Sequence, residues 1–169
     1  MEFREMRIND VEQVAYLHNE LAYYIQKETK DEYWDFGELT IDDVGKYLEE
    51  FINNEERKVI VTEENGRIVG FIAGEIVKCH LPISSILKVG YIAGAYVLPQ
   101  YRGKGILNNL EREIVMFFKA FGLKYVELNF ISKNQIARKS WEALGYKVFR
   151  EQARKQIWRL TPKVLLVEF

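Results

Sequence analysis

The sequence predicts an α/β (α+β) fold: a mixed central sheet of about six or seven strands with helices on both faces. Three observations predict it. Asn65-Gly66 separates two β-branched runs, residues 59–61 and 68–72, which is the pattern of a tight hairpin. Residues 89–98 are an apolar run that reads as a long buried strand, and an amphipathic stretch follows directly. From there the chain alternates strand, helix, strand and helix as far as Tyr146.

Taken in order, residues 3–8 read as a first strand. Asp10 with Gln13 three residues on reads as a capping box, opening a helix with Val11, Val14, Ala15, Leu21 and Ile25 on one face and an end near Lys27. Residues 33–37 are an aromatic, turn-rich loop. Thr40 and Asp43 repeat the capping pattern before Val44, Leu48, Phe51 and Ile52. The hairpin comes next, then the buried strand at 89–98. Residues 106–121 read as a helix closed by Gly122, residues 125–131 as a strand, and residues 135–144 as a last helix closed by Gly145. Residues 146–150 and 155–160 are expected to form a closing hairpin.

At 169 residues, with 48% hydrophobic and 14% aromatic content, the chain supports one substantial core, and one domain over residues 1–169 is expected. Its 24 Lys+Arg against 25 Asp+Glu leave a formal charge of −1, so no summed field draws it onto a polyanion and nucleic acid is not an expected partner. Residues 1–7 are charged where a secretory leader needs an apolar stretch, and the run at 89–98 is half of the ~20 residues of a membrane span, so a cytoplasmic protein is expected. The single cysteine, Cys79, excludes an internal disulfide and suits a reducing compartment. Neither His18 nor His80 has the spacing of a metal ligand or of a thiol's base, and no metal is expected.

The chemistry concentrates where the buried strand stops at Pro99 and gives way to Gln100-Tyr101-Arg102-Gly103-Lys104-Gly105 ahead of a helix. Gly103 and Gly105 let the backbone turn sharply and approach a ligand, while the free N–H groups of the helix start point at it. A pyrophosphate suits that cradle, with Arg102 and Lys104 adding positive charge. The segment is neither a P-loop nor a dinucleotide fingerprint, which would need glycine where Asn108 stands.

Val97-Leu98-Pro99 followed by Gln100 to Gly105 resembles the signature Q/R-x-x-G-x-G/A after a V-x-P strand end, and Asn134, Ala137, Gly145 and Tyr146 resemble a second element, N-x-x-A before a helix ending in G-F/Y. Both belong to the GNAT superfamily of N-acetyltransferases. The similarity in element order runs from the first strand to near Leu160. It implies that acetyl-coenzyme A enters an opening where the fourth and fifth strands splay. Its pantetheine arm would pair with the backbone of Tyr96, Val97 and Leu98, and its pyrophosphate would rest on Arg102, Gly103, Lys104, Gly105 and Ile106. Asn134 would contact the pantetheine, or cap the last helix, or both, with Ala137 and Trp141 lining the same opening. Gly94 stands where such folds carry a bulge, and otherwise merely relieves crowding.

Acetyl transfer to an amine needs a neutral nucleophile, a donor for the developing oxyanion and a proton for the departing thiolate. In the position where many members carry a proton-donating tyrosine, this chain has Trp141, whose indole keeps its proton near neutral pH. Its alternatives are an aromatic lid or a core residue. Ser140 beside it, or water, is left to supply the proton. Alternation along residues 126–131 puts Glu127 on the cleft side if Val126, Leu128 and Phe130 pack under helices. Glu127 is then either a base acting through water or a structural carboxylate, and Glu75 is a second, weaker candidate.

In this family the stretch from Glu20 to Phe36 lies beside the acceptor. Tyr24, Tyr33 and Trp34 among its carboxylates suit a small cationic amine, a metabolite or a drug, though such rings also complete cores. A protein N-terminus or lysine, and a non-catalytic acyl-coenzyme A binding module, are the alternatives. Residues 164–167 could seat a second copy in a homodimer or add a strand of the chain's own.

Overall fold

The computed structural model describes residues 1–34 and 41–157. Their order is β1 (Glu2–Glu5), α1 (Val11–Thr29), α2 (Ile41–Glu49), β2 (Arg57–Glu64), β3 (Arg67–Lys78), β4 (Lys88–Val97), α3 (Ile106–Ala120), β5 (Val126–Leu128) and α4 (Gln135–Ala143). Short 3-10 turns stand at Ile8–Asp10, Glu32–Trp34 and Pro99–Tyr101. The five strands lie in sequence order, each antiparallel to the next except β4 and β5, which run parallel around α3.

The mixed sheet flanked by helices is as the sequence predicts, with five strands among the described residues instead of six or seven. The expected closing hairpin accounts for the difference. Residues 146–150 form no strand, and of residues 155–160 only 155–157 are described, also without strand structure. The strand expected over 125–131 keeps only Val126–Leu128, because beyond Ile92 and Leu128 the two parallel neighbours no longer pair. Phe36, the Thr40 cap and the tail at 164–167 lie outside the described residues.

The hairpin forms as its turn chemistry dictates: Asn65 and Gly66 both take positive φ, 52° and 78°, between β2 and β3. The first capping box does not form. Asp10 points its carboxylate backward, to Arg4 Nη1 and Nη2 at 2.6 and 2.9 Å and to the Arg7 N–H at 2.7 Å, while Gln13 Oε1 accepts the N–H of Ile68. A guanidinium that also reaches Glu63 outcompetes the helix amides for that carboxylate.

Helices cover both faces of the sheet. On one face Ile114 and Phe118 of α3 sit directly on the strand backbones, and a Cβ added at Gly74 or Gly90 would lie 2.7 or 2.6 Å from them. On the other, His18 of α1 stacks on Phe71 of β3 at 6.1 Å between ring centroids, and Leu21 lies over Gly94. Phe71, Phe118, Leu110 and Ile114 are fully buried between these layers, each burial contributing about 1.5–3 kcal/mol. Along β4 the register slips by one residue opposite Ala73 and Gly74, so Ala93 is the extra residue of a bulge and Gly94 resumes the pairing.

Candidate active site

β4 lies between β3 and β5, yet its middle is open. It pairs with β5 only from Gly90 to Ile92, while its other edge stays on β3 as far as Val97. The result, among the described residues, is an unpaired edge from Ala93 to Val97, where Ala93 is exposed and Gly94 and Ala95 are half-buried. The Leu98 N–H donates to Val69 on β3, so by alternation the amides of Val97 and Ala95 face the opening. The backbone on offer there is therefore that of Ala95 and Val97, whereas Tyr96 and Leu98 pair with β3. Ala95 escaped the sequence analysis because the bulge at Ala93 shifts the alternation by one and leaves no compositional trace.

At the end of that edge, Pro99–Tyr101 makes one 3-10 turn, and Gly103 and Gly105 both adopt φ of 74°. Gly105 is the N-cap of α3, and no side chain caps the helix start. Among the described residues no backbone hydrogen bond uses the N–H of Gly103, Lys104, Gly105 or Ile106. No described heavy atom beyond the chain neighbours lies within 4 Å of the Cβ positions at Gly103 and Gly105, so the cradle is open. A run of unused amides at a fifteen-residue helix's N-terminus fits a diphosphate, and the free edge of β4 leading into it fits an extended amide-bearing arm.

The loop's two cations are engaged with aromatic rings. Arg102 Nε donates to the carbonyl of Val97 at 2.9 Å, and its guanidinium lies 5.3 Å from the ring centroids of both Tyr24 and Tyr96. Lys104 Nζ lies 5.0 Å from the Tyr101 ring. Among the described residues the buried hydroxyl of Tyr24 has no partner in hydrogen-bond geometry. Burial, then Glu28, raises its pKa, and burial likewise raises that of Tyr96.

Below the opening, on the α1 and α2 face, a row of paired residues crosses the sheet: Arg57, Glu75, Tyr91 and Glu127. Glu127 lies across the sheet from the α3 face, and its Oε2 is 3.9 Å from His80 Nδ1. Glu75 is bound to Arg57 at 3.4 Å. Tyr47 of α2 stands close enough that Glu75, after burial, raises its pKa. His18 meets Tyr47 edge-on at 6.2 Å, has a buried and unpartnered Nδ1, and is held toward its neutral form by burial. The sequence carries no signal for Tyr47 or His18 as site residues, since only the packing of α1 and α2 on the sheet brings them together.

Of the acceptor aromatics, Tyr24 faces Arg102, as described. Tyr33 is exposed, with the Arg154 guanidinium 4.3 Å from its centroid, and Arg154 also pairs with Asp31, so residues around 154 meet the end of α1. Trp34 ends the following 3-10 turn, half-buried.

On the β5 side, Asn134 is buried and caps α4, accepting the Ala137 N–H at 3.0 Å. The Ser140 hydroxyl donates to the Ile136 carbonyl at 2.9 Å. Trp141 is buried edge-on to Tyr146 at 5.4 Å between centroids. Tyr146 in turn donates its hydroxyl to Glu111 on α3, and its pKa is pushed far up, first by burial and then by that carboxylate.

A model of the acetyltransferase (GNAT) family matches residues 19–146. No curated protein sequence matches the chain. Solved structures of similar fold include the aminoglycoside 6'-N-acetyltransferase AAC(6')-Ig of Acinetobacter haemolyticus, at 14% identity and a TM-score of 0.75 over 92% of this chain and 97% of that one. AAC(6')-Iy, in complex with the bisubstrate analogue CoA-S-monomethyl-acetylneamine, gives 17% identity and 0.75 over 92% and 96%. A tetramutant of protein BH1408 from Bacillus halodurans gives 21% and 0.77 over 93% and 100%. The family match spans most of the chain and contains both the splayed strands and the amide cradle: the chain belongs to the acetyltransferase (GNAT) family, acyltransferases that use acetyl-coenzyme A.

Proposed function

We propose that the protein acetylates a primary amine of a small cationic molecule, a metabolite or a drug, in the cytoplasm. The observation that carries this reading is the small-residue centre of β4, with Ala93 exposed and Gly94 and Ala95 half-buried, flanked above by the amide cradle and below by Glu75, Tyr91 and Glu127. Carboxylates and aromatic rings on that side attract an ammonium and hold it near the open strand. Relatives of the same fold that act on aminoglycosides, polycationic small molecules, agree with such an acceptor.

Acetyl-coenzyme A supplies an acetyl group activated as a thioester. The chain's residues supply the rest. The N–H groups of Gly103 to Ile106 hold the diphosphate, and the Val97 and Ala95 backbone orients the arm along β4. The Ala95 N–H faces the opening, where it stabilises negative charge on a carbonyl oxygen without having to reorganise. Glu127, with His80 Nδ1 3.9 Å away, takes the proton from the incoming ammonium, directly or through water. Ser140 has its proton committed within α4 and Trp141 is packed, so solvent protonates the departing thiolate, whose pKa of about 8.5 makes it a fair leaving group.

The test is steady release of free coenzyme A thiol with a library of mono- and polyamines, alongside calorimetric binding of coenzyme A. Amine-dependent release is expected, strongest with small polycations. Tight coenzyme binding with no amine-dependent thiol above background would leave only a binding module.

A further inference from the structure

We propose that Tyr24 is a positioning residue for the donor loop: with Tyr96 it holds the Arg102 side chain inward, so that Arg102 braces the cradle instead of ligating phosphate. The role rests on the coenzyme site proposed above. It moves Tyr24, which by its place in the chain reads as an acceptor contact, to the donor side.

The geometry is a closed ring. Arg102 begins the amide cradle, yet its side chain doubles back past Pro99–Tyr101 to give Nε to the Val97 carbonyl, the last strand carbonyl on the open edge. That hydrogen bond ties the exit of β4 to the entry of the cradle and fixes the direction in which the following N–H groups point. A single contact from a flexible, multiply rotatable side chain is weakly defined, because holding it costs up to about 2 kcal/mol of rotamer freedom. Here the guanidinium is restrained from two elements at once, 5.3 Å from the Tyr24 ring on α1 and 5.3 Å from the Tyr96 ring on β4.

The local field favours this inward pose. Glu28 of α1 acts on the Tyr24 hydroxyl and Glu20 of α1 on that of Tyr96, and at both hydroxyls Arg102 acts in the opposite sense. A cation is stable there, and drawing it out toward a diphosphate would abandon all of these partners. What Tyr24 contributes is its ring face. Among the described residues its hydroxyl has no partner in hydrogen-bond geometry, the Arg102 guanidinium acting on it only by its nearness.

That distinction supplies the experiment. Coenzyme A is titrated calorimetrically into wild type, Tyr24→Phe and Tyr24→Leu, with circular dichroism and melting checked for each. Tyr24→Phe keeps the ring and is expected to bind within about twofold of wild type. Tyr24→Leu keeps the bulk but loses the cation–π contact, and is expected to weaken coenzyme A by about three- to tenfold. The KM of the amine is expected to stay within about twofold, as a donor-side role requires. In an Arg102→Met background the Tyr24→Leu loss should vanish, since no guanidinium is left to hold.

Unchanged coenzyme A affinity in a folded Tyr24→Leu protein would overturn the role. So would a Tyr24→Phe as weak as Tyr24→Leu, a loss that persists with Arg102→Met, or an effect on the amine's KM alone. Failure of the wild type to bind coenzyme A is a different result: it removes the coenzyme site itself, and this role with it.

Discussion

Replacing Gly105 with alanine isolates the backbone's share of coenzyme binding. Gly105 holds φ at 74° and caps α3, and nothing lies within 4 Å of an added Cβ, so the substitution introduces no clash. What remains is the left-handed conformation, which costs an L-residue about 1–2 kcal/mol. That cost must be met somewhere. If the free protein keeps the native loop, stability falls by about 1–2 kcal/mol, or about 2–8 °C in Tm for a chain of this size. If the loop relaxes to negative φ, stability is preserved and the cost moves to binding, weakening coenzyme A by about five- to thirtyfold. The two losses are therefore expected to sum to about 1–2 kcal/mol, however they divide. Chemical denaturation and calorimetry on the same preparation measure both. A sum below about 0.5 kcal/mol would show that the bound state does not need this backbone angle, and the amide cradle would lose its physical basis.

Three further outcomes follow from the packing. Asp10 has its pKa lowered, chiefly by the hydrogen bond from Arg4, so it stabilises the fold above its unfolded value of 3.8 and loses that contribution as pH falls below it. Asp10→Asn is expected to cost about 1.5–3 kcal/mol at pH 7 and to flatten the acid limb of a urea-midpoint titration, and an unchanged limb would contradict it. Gly90→Ala drives a Cβ to 2.6 Å from the buried Phe118 ring, so an overpacking loss of about 1–3 kcal/mol is expected by denaturation, whereas the neutral effect of an ordinary strand glycine is not. Trp141→Phe keeps the edge contact to Tyr146, and kcat is expected to stay within about threefold. A drop of about a hundredfold in a protein that melts normally would give the indole N–H a chemical role.

The sequence made some features legible because local chemistry alone decides them. Asn65-Gly66 dictates its own turn, the apolar run over β4 dictates a strand, though one whose middle is not buried, and the glycines at 103 and 105 dictate the cradle. Features decided between distant elements were not legible. Asp10 has the pattern of a helix cap but is claimed by Arg4, and Gln13 serves Ile68 on β3. The slip at Ala93, which decides that Ala95 and Val97 face the opening, arises from pairing with Ala73 and Gly74 and has no signature in either strand alone. The same holds for Arg102: its charge suggested a phosphate ligand, and only the fold brings Tyr24 and Tyr96 to it.

The brief pairing of β5 also has a mechanical meaning. Three rungs, from Gly90 to Ile92, hang β5 on its neighbour, and a hydrogen bond from Tyr146 to Glu111 helps secure the end of α4 behind it. That wing is the part of the sheet with the least to lose by swinging open, so the amide protons of Val126–Leu128 exchange with solvent long before those of β3, which is paired along both edges. A molecule lodged between the two leaves acts as a rivet, and its arrival slows exchange in β5 far more than in β2.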